Sequence, residues 1–159
     1  MKIYSIIIGI LLISACASSP KFDTSQVDQA LTPSAVISNP GISKNKQVLW
    51  GGVIINTSNQ KQHTVIEMLA YPLDSSYLPL RDQKPLGRCL VKQSGFLEPS
   101  EYAQGRMVTV LGTIERLQKG NVGESVYQYP EIHSQQLYLW PKDSGQRKTR
   151  VSVGIGIRL

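Results

Sequence analysis

Cysteine is scarce in this chain of 159 residues: Cys16 and Cys89 are the whole complement. Zinc sites built from several cysteines are therefore excluded, and so is a framework of several disulfides. Histidine is equally rare, with His63 and His133 alone, and aromatic residues make up 7% of the chain. No apolar run is long enough to cross a bilayer as a helix, which needs about 20 apolar residues. There is no glycine-rich phosphate loop, no serine in a nucleophile-elbow pattern and no internal repeat. The carboxylates Asp74, Asp82, Glu98 and Glu101 have no spacing that groups them for acid/base work. These absences point away from an enzyme and call for no cofactor.

What is present begins at the N-terminus. Met1-Lys2 supplies one positive charge, and Ile3 to Ile13 is a nearly unbroken apolar run. A charged start, a short apolar core and a small-residue cut site make a secretory signal. Ile13-Ser14-Ala15-Cys16 fits a lipobox: a branched apolar residue, two small residues and then cysteine. The small residues admit the chain to the signal peptidase, and the thiol takes a diacylglyceryl group. Residues 1–15 are accordingly expected to be a signal peptide and Cys16 the lipidation site. Several acyl chains anchor stably, whereas a single one binds only marginally. The residue after the cysteine is Ala17 rather than aspartate, which favours sorting to the outer membrane, facing the periplasm.

Cleavage leaves 144 residues, enough for one domain with a core. The net charge of +6 falls to about +5, since only Lys2 leaves with the signal. Positive charge attracts anionic headgroups or nucleic acid; plain solubility is the preferred reading, and nucleic acid is not an expected partner in that compartment. Cys89 becomes the only free thiol of the mature chain. Its setting, Arg88-Cys89-Leu90-Val91-Lys92, alternates like a strand and places it with Val91 on a core face.

Residues 16–46 read as the lipidated cysteine with a tether and lead-in segment, rich in Ser, Pro, Asn, Gln and Lys. Asp23 to Leu31 is either a short helix capped by Asp23 or Thr24, or part of a plain spacer; Pro33 and Pro40 are expected to break regular structure. From residue 47 to 159 the pattern is strands: Gln47–Asn56, His63–Leu73, Gly87–Lys92, Arg106–Leu117, Ser125–Tyr129, Ile132–Trp140 and Arg150–Leu159. Gly51-Gly52 inside the first suggests a bulge or a close packing of strands. Many short strands with little helix predict an all-β fold, a small antiparallel barrel of the oligonucleotide/oligosaccharide-binding type, with a sandwich as the alternative. The strands are too few and too polar for a transmembrane barrel.

Three sets of residues are candidates for function. Exposed aromatics stack on sugars and lipids, which nominates Trp50, Tyr138 and Trp140 for ligand binding, with Tyr77, Tyr127 and Tyr129 behind them. His63 and His133, near Glu67 or Glu131, make at most a thin metal site, and two partly exposed strand histidines are the plainer reading. Phe96, Leu97 and Tyr102, in Gln93-Ser94-Gly95-Phe96-Leu97-Glu98-Pro99-Ser100-Glu101-Tyr102, are expected to plug one mouth of the barrel, with a ligand or partner surface as the other reading.

The lipobox, Trp50-Gly51-Gly52-Val53-Ile54, Leu73-Asp74, Gly87-Arg88, Gln93-Ser94-Gly95-Phe96-Leu97-Glu98-Pro99 and Val108-Thr109-Val110-Leu111-Gly112-Thr113-Ile114 together resemble the Slp family, the starvation-inducible outer-membrane lipoproteins of enteric and related Gram-negative bacteria. The resemblance spans about residues 1–140 and leaves out the last predicted strand. It implies an outer-membrane lipoprotein linked to starvation or stationary phase, and in some members to acid stress. It implies no enzyme activity, cofactor or catalytic residue, and carries over Cys16 alone. Three functions stay open on this reading. One is an envelope-supporting lipoprotein that binds a protein or glycan partner. Another is a binder of small ligands or oligosaccharides through barrel aromatics. The third, an enzyme such as a metal-dependent hydrolase, requires His63 and His133 to converge with a carboxylate.

Overall fold

The computed structural model describes residues 20–145. The signal peptide expected at 1–15, the expected lipidation site Cys16 and the strand expected at 150–159 lie outside the described residues. Five strands form one closed ring: β1 Gln47–Asn59, β2 His63–Tyr71, β3 Gly87–Ser94, β4 Met107–Val122 and β5 Ser125–Leu139, in the order β1-β2-β3-β5-β4. The all-β expectation holds, and the ring is compatible with an oligonucleotide/oligosaccharide-binding-type barrel. It is not purely antiparallel: β3 and β5 pair in parallel through Leu90–Lys92 and Glu131–His133. The sheet is therefore mixed, because the chain crosses through β4 before it returns beside β3.

Alternation decides which side chains face inward. Thr64, Ile66, Met68 and Ala70 of β2 are fully buried, as are Cys89 and Val91 of β3. Val48, Trp50 and Ile54 of β1, Val108, Val110 and Ile114 of β4 and Ile132 of β5 complete the interior. Gly52 belongs to the same inward row of β1. A Cβ there would strike the Leu69 carbonyl and the Ala70 backbone, so the glycine pair marks a close approach of β1 and β2. The bulge lies farther on, where the β1–β2 register shifts between Ile54 and Asn56.

Two expected strands, Ser125–Tyr129 and Ile132–Trp140, are one continuous β5. Pro130 lacks an N–H and reads as a breaker. It falls just before the stretch of β5 that pairs with β3, so that neighbour has no bond to lose. Shifts in the β4–β5 register between Leu111 and Gly112, and between Ile114 and Arg116, absorb the bend.

The lead-in segment is packed onto the barrel. No helix forms over 23–31. Asp23 and Asp28 each accept the N–H two residues on, from Ser25 and Ala30, and such turns compete with helix. Val27 instead bridges to Gln47. The helix lies farther along, α1 Pro33–Ser38, followed by a 3-10 turn Pro40–Ile42. Both prolines open these elements where they were expected to break structure, because the first helical position needs no N–H donor. Thr32 caps α1 by accepting the Ala35 N–H at 3.2 Å. Val36 of α1 is fully buried and joins the core with Leu31. We expect Thr32→Ala to lower stability by about 1 kcal/mol in urea unfolding, with the slope unchanged.

At the opposite end the loop after β3 closes the barrel. Leu97 and Tyr102 pack against the core. Phe96 does not: it is 68% exposed, so the expected plug consists of two of its three residues.

Candidate functional site

The three nominated aromatics do not form an open platform. Trp50 points inward from β1 and is 5% exposed; its indole N–H donates to the Leu31 carbonyl at 2.7 Å. Trp140 is 8% exposed and donates to Thr109 Oγ1 at 2.9 Å. Tyr138 is half-buried and stacks edge-on against Trp140, with centroids 4.8 Å apart. The pair belongs to a second apolar layer on the outside of β4 and β5. Thr109 in turn donates to the Tyr77 carbonyl, and Tyr77 meets Phe22 edge-on at 5.4 Å. Alternation alone assigns this face to solvent. The lead-in segment and the connection after β2 cover it.

The histidines are not brought together either. His63 lies opposite Ser94 of β3, and His133 lies opposite Lys92 on the other side of the same strand. Strand β3 thus stands between them, and two strand spacings are roughly 10 Å. Among the described residues no three His, Cys, Asp or Glu side chains converge as metal ligands. Cys89 is fully buried and burial pushes its thiol far above the ordinary range, which makes it an inert core residue.

What the strands do assemble is a charged outer face. Arg88 Nη1 of β3 lies 2.6 Å from Glu67 Oε1 of β2, and the Tyr129 hydroxyl of β5 donates to the same oxygen at 3.1 Å. The Glu67 hydrogen bond raises the Arg88 pKa, while Tyr129 is raised first by burial and then by Glu67. Farther along, Glu115 takes Lys92 at 3.5 Å and faces His133 Nδ1 at 3.8 Å. Arg116 pairs with Glu131 at 3.0 Å, and that carboxylate is all but buried. An open groove of about 390 Å³ runs beside these pairs, with Val65 and Leu90 among its apolar lining and Ser58, Gln60, His63, Lys92 and Gln118 among its polar groups. Strand patterning places Glu67 and Arg88 on polar faces. It does not say that they meet, since their pairing joins distant parts of the chain.

A second feature is the loop after β3. The hydroxyl of Thr64, itself buried, donates to the Gly95 carbonyl at 2.9 Å and accepts the Leu97 N–H at 3.1 Å. Asn59 Nδ2 donates to the Leu97 carbonyl at 3.0 Å, and Asn59 Oδ1 shares the single Thr64 hydroxyl proton with the Gly95 carbonyl. Gly95 has φ +82°, which turns the chain outward at this point. Arg106 fixes the far side of the loop, donating to the Glu101 and Trp140 carbonyls at 2.7 and 2.8 Å. Phe96 is therefore held out into solvent by bonds on both of its neighbours.

Comparison with known proteins adds to this geometry. The sequence profile of the outer membrane lipoprotein Slp family matches residues 13–155. The chain is 36% identical to outer membrane protein Slp of Escherichia coli K12 over 131 residues, which cover 81% of this chain and 69% of that protein. It is 30% identical to the uncharacterized lipoprotein YeaY of the same organism over 122 residues, 75% of this chain and 62% of that protein. An uncharacterized protein of Haemophilus influenzae is 34% identical over 96 residues, 60% of this chain and 52% of that protein. The matched stretches thus span from about half to somewhat over two thirds of these relatives' lengths.

Proposed function

The chain belongs to the outer membrane lipoprotein Slp family, and on that premise we propose that it is made as a precursor cut before Cys16, whose acyl chains then hold the β barrel on the periplasmic face of the outer membrane. The barrel acts there without catalysis. It binds an envelope component, protein or glycan, and so supports envelope integrity under starvation or related stress. The observation that favours a binding role is the pinned loop. A phenylalanine 68% exposed costs solvation, and here three hydrogen bonds linking Thr64 and Asn59 to its two neighbours keep it there. An aromatic side chain fixed in advance loses little entropy on docking, as contact anchors do.

A second reading, capture of a small polar ligand, is favoured by the groove beside Lys92, Arg116 and Glu131. It no longer draws on Trp50 or Trp140, whose indoles are engaged inside the fold.

The experiment compares wild type, Cys16→Ala and Phe96→Ser in cells given labelled palmitate and a membrane-permeant crosslinker. We expect Cys16→Ala to lose both the label and sedimentation with outer membranes. Phe96→Ser is expected to keep both and to lose its envelope crosslink, with stability changed by no more than about 0.5 kcal/mol, as for a surface site. Label persisting in Cys16→Ala overturns the anchor. An unchanged crosslink in Phe96→Ser overturns the loop as the contact.

A further inference from the structure

If residues 16–46 were a free tether, about 30 residues would separate membrane and barrel, a reach of about 100 Å when extended. The packing of the lead-in segment removes most of that length. Phe22 is buried against Tyr77, and the Lys21 carbonyl accepts a hydrogen bond from Gln136 Nε2 of β5 at 2.9 Å. Leu31 and Val36 then enter the core itself. The chain is therefore fixed to the barrel from Lys21 onward. Only five residue steps separate Lys21 from Cys16, and fully extended they reach at most about 18 Å.

We propose that one particular face of the barrel, that around Lys21, Lys44, Lys46 and Gln135, lies against the phospholipid headgroups of the membrane that holds the anchor. This rests on the acylation of Cys16 proposed above and adds an orientation to it. Contacts link most of this face, and Lys44, two residues before Lys46, borders Glu115 and Arg116 at its edge. From Lys21 the face passes to Gln136 and its neighbour Gln135; Gln135 accepts from Gln47 Nε2 at 2.7 Å and donates to Thr113 at 3.3 Å. Gln47 follows Lys46, and Lys21, Lys44, Lys46, Gln135 and Gln136 are all exposed. Ammonium and amide groups of this kind donate hydrogen bonds to phosphodiester oxygens. The acidic groups beside them are Asp23 and Asp28, whose carboxylates accept the Ser25 and Ala30 N–H groups, and Glu115, engaged by Lys92. The pinned loop with Phe96 adjoins Asn59, at the other end of β1. Thirteen residues of strand separate those ends, up to about 40 Å. The same short tether that lays Lys21 on lipid turns Phe96 toward the periplasm.

The test uses the full lipidated chain in phosphatidylethanolamine/phosphatidylglycerol vesicles that carry a headgroup spin label. One variant, Lys44→Cys, places a fluorophore on the proposed face; another, Glu98→Cys, places it beside Phe96. Cys89 is fully buried and does not compete for the dye. Quenching is expected to be several-fold stronger at 44 than at 98. A Gly-Ser insert of about 20 residues after Ser18 gives the tether a root-mean-square reach of about 25–30 Å, and the difference is then expected to shrink. Equal quenching at the two sites in protein that floats with the vesicles overturns the orientation while leaving the anchor intact. Protein that does not float overturns the anchor reading and the orientation with it.

Discussion

Gly52→Ala is expected to abolish the folded barrel at ordinary temperatures, since among the glycines of the described residues its added Cβ makes the tightest contact, with backbone. The added carbon meets the Leu69 carbonyl, and its next contacts are the Leu69 carbonyl carbon at 2.8 Å and Ala70 Cα at 2.9 Å. All are backbone, so no rotamer change relieves them. At this position β1 pairs with both neighbours at once, Gly52 lying opposite Ala70 of β2 and Val108 of β4. The strand has no free side toward which to move. A cost above about 4 kcal/mol falls in the range that undoes a marginally stable domain. Gly41→Ala is the control. A Cβ at Gly41 meets nothing within 4 Å, and its effect should stay within about 0.5 kcal/mol. Circular dichroism and thermal melts of the two variants decide the matter. A cooperative Gly52→Ala melt near that of wild type would mean that β1 and β2 are not this close.

Trp50→Ala is expected to cost about 3–5 kcal/mol, by removing a buried indole and leaving a cavity, and to lower Tm by roughly 10–20 °C. Its consequence reaches past the barrel. The indole N–H is bonded to the Leu31 carbonyl, so the substitution also releases the lead-in segment. Trp50→Phe separates the two effects. It keeps most of the apolar volume, loses the bond, and leaves a buried carbonyl unpaired, for about 1–3 kcal/mol. Hydrogen exchange at the Val36 amide, which bonds to the Thr32 carbonyl within α1, reports the release. We expect that amide to exchange faster in Trp50→Phe while core amides of β2 change little. If both accelerate equally, the indole bond serves global stability alone and does not hold the lead-in segment in particular.

Much of the barrel is legible along the chain because alternation is a local signal. Cys89 and Val91 face inward together in β3, as their spacing indicates. Gly51-Gly52 also announces a close approach of strands. The misreadings have physical causes. Proline is unfit for a helix interior, yet Pro33 and Pro40 each sit at the opening of a helical element, where no N–H donor is needed. Trp50 and Trp140 looked like ligand aromatics because exposure cannot be read from one strand alone. Whether a side chain that points out of a barrel meets water depends on what crosses over it.

The all-β class, the inward face of Cys89 and Val91, the apolar-small-small-cysteine run ending at Cys16 and the family resemblance are all written in consecutive residues and so can be read along the chain. That β3 and β5 run parallel, that Glu67, Arg88 and Tyr129 meet, that Phe96 is held out while Leu97 is packed, and that the lead-in segment is bound to the barrel emerge from the folded arrangement alone. All of these join residues far apart in the chain, by contacts that no local pattern encodes. The last of them, through Lys21 and Gln136, leaves five residue steps between Cys16 and the first contact with the barrel.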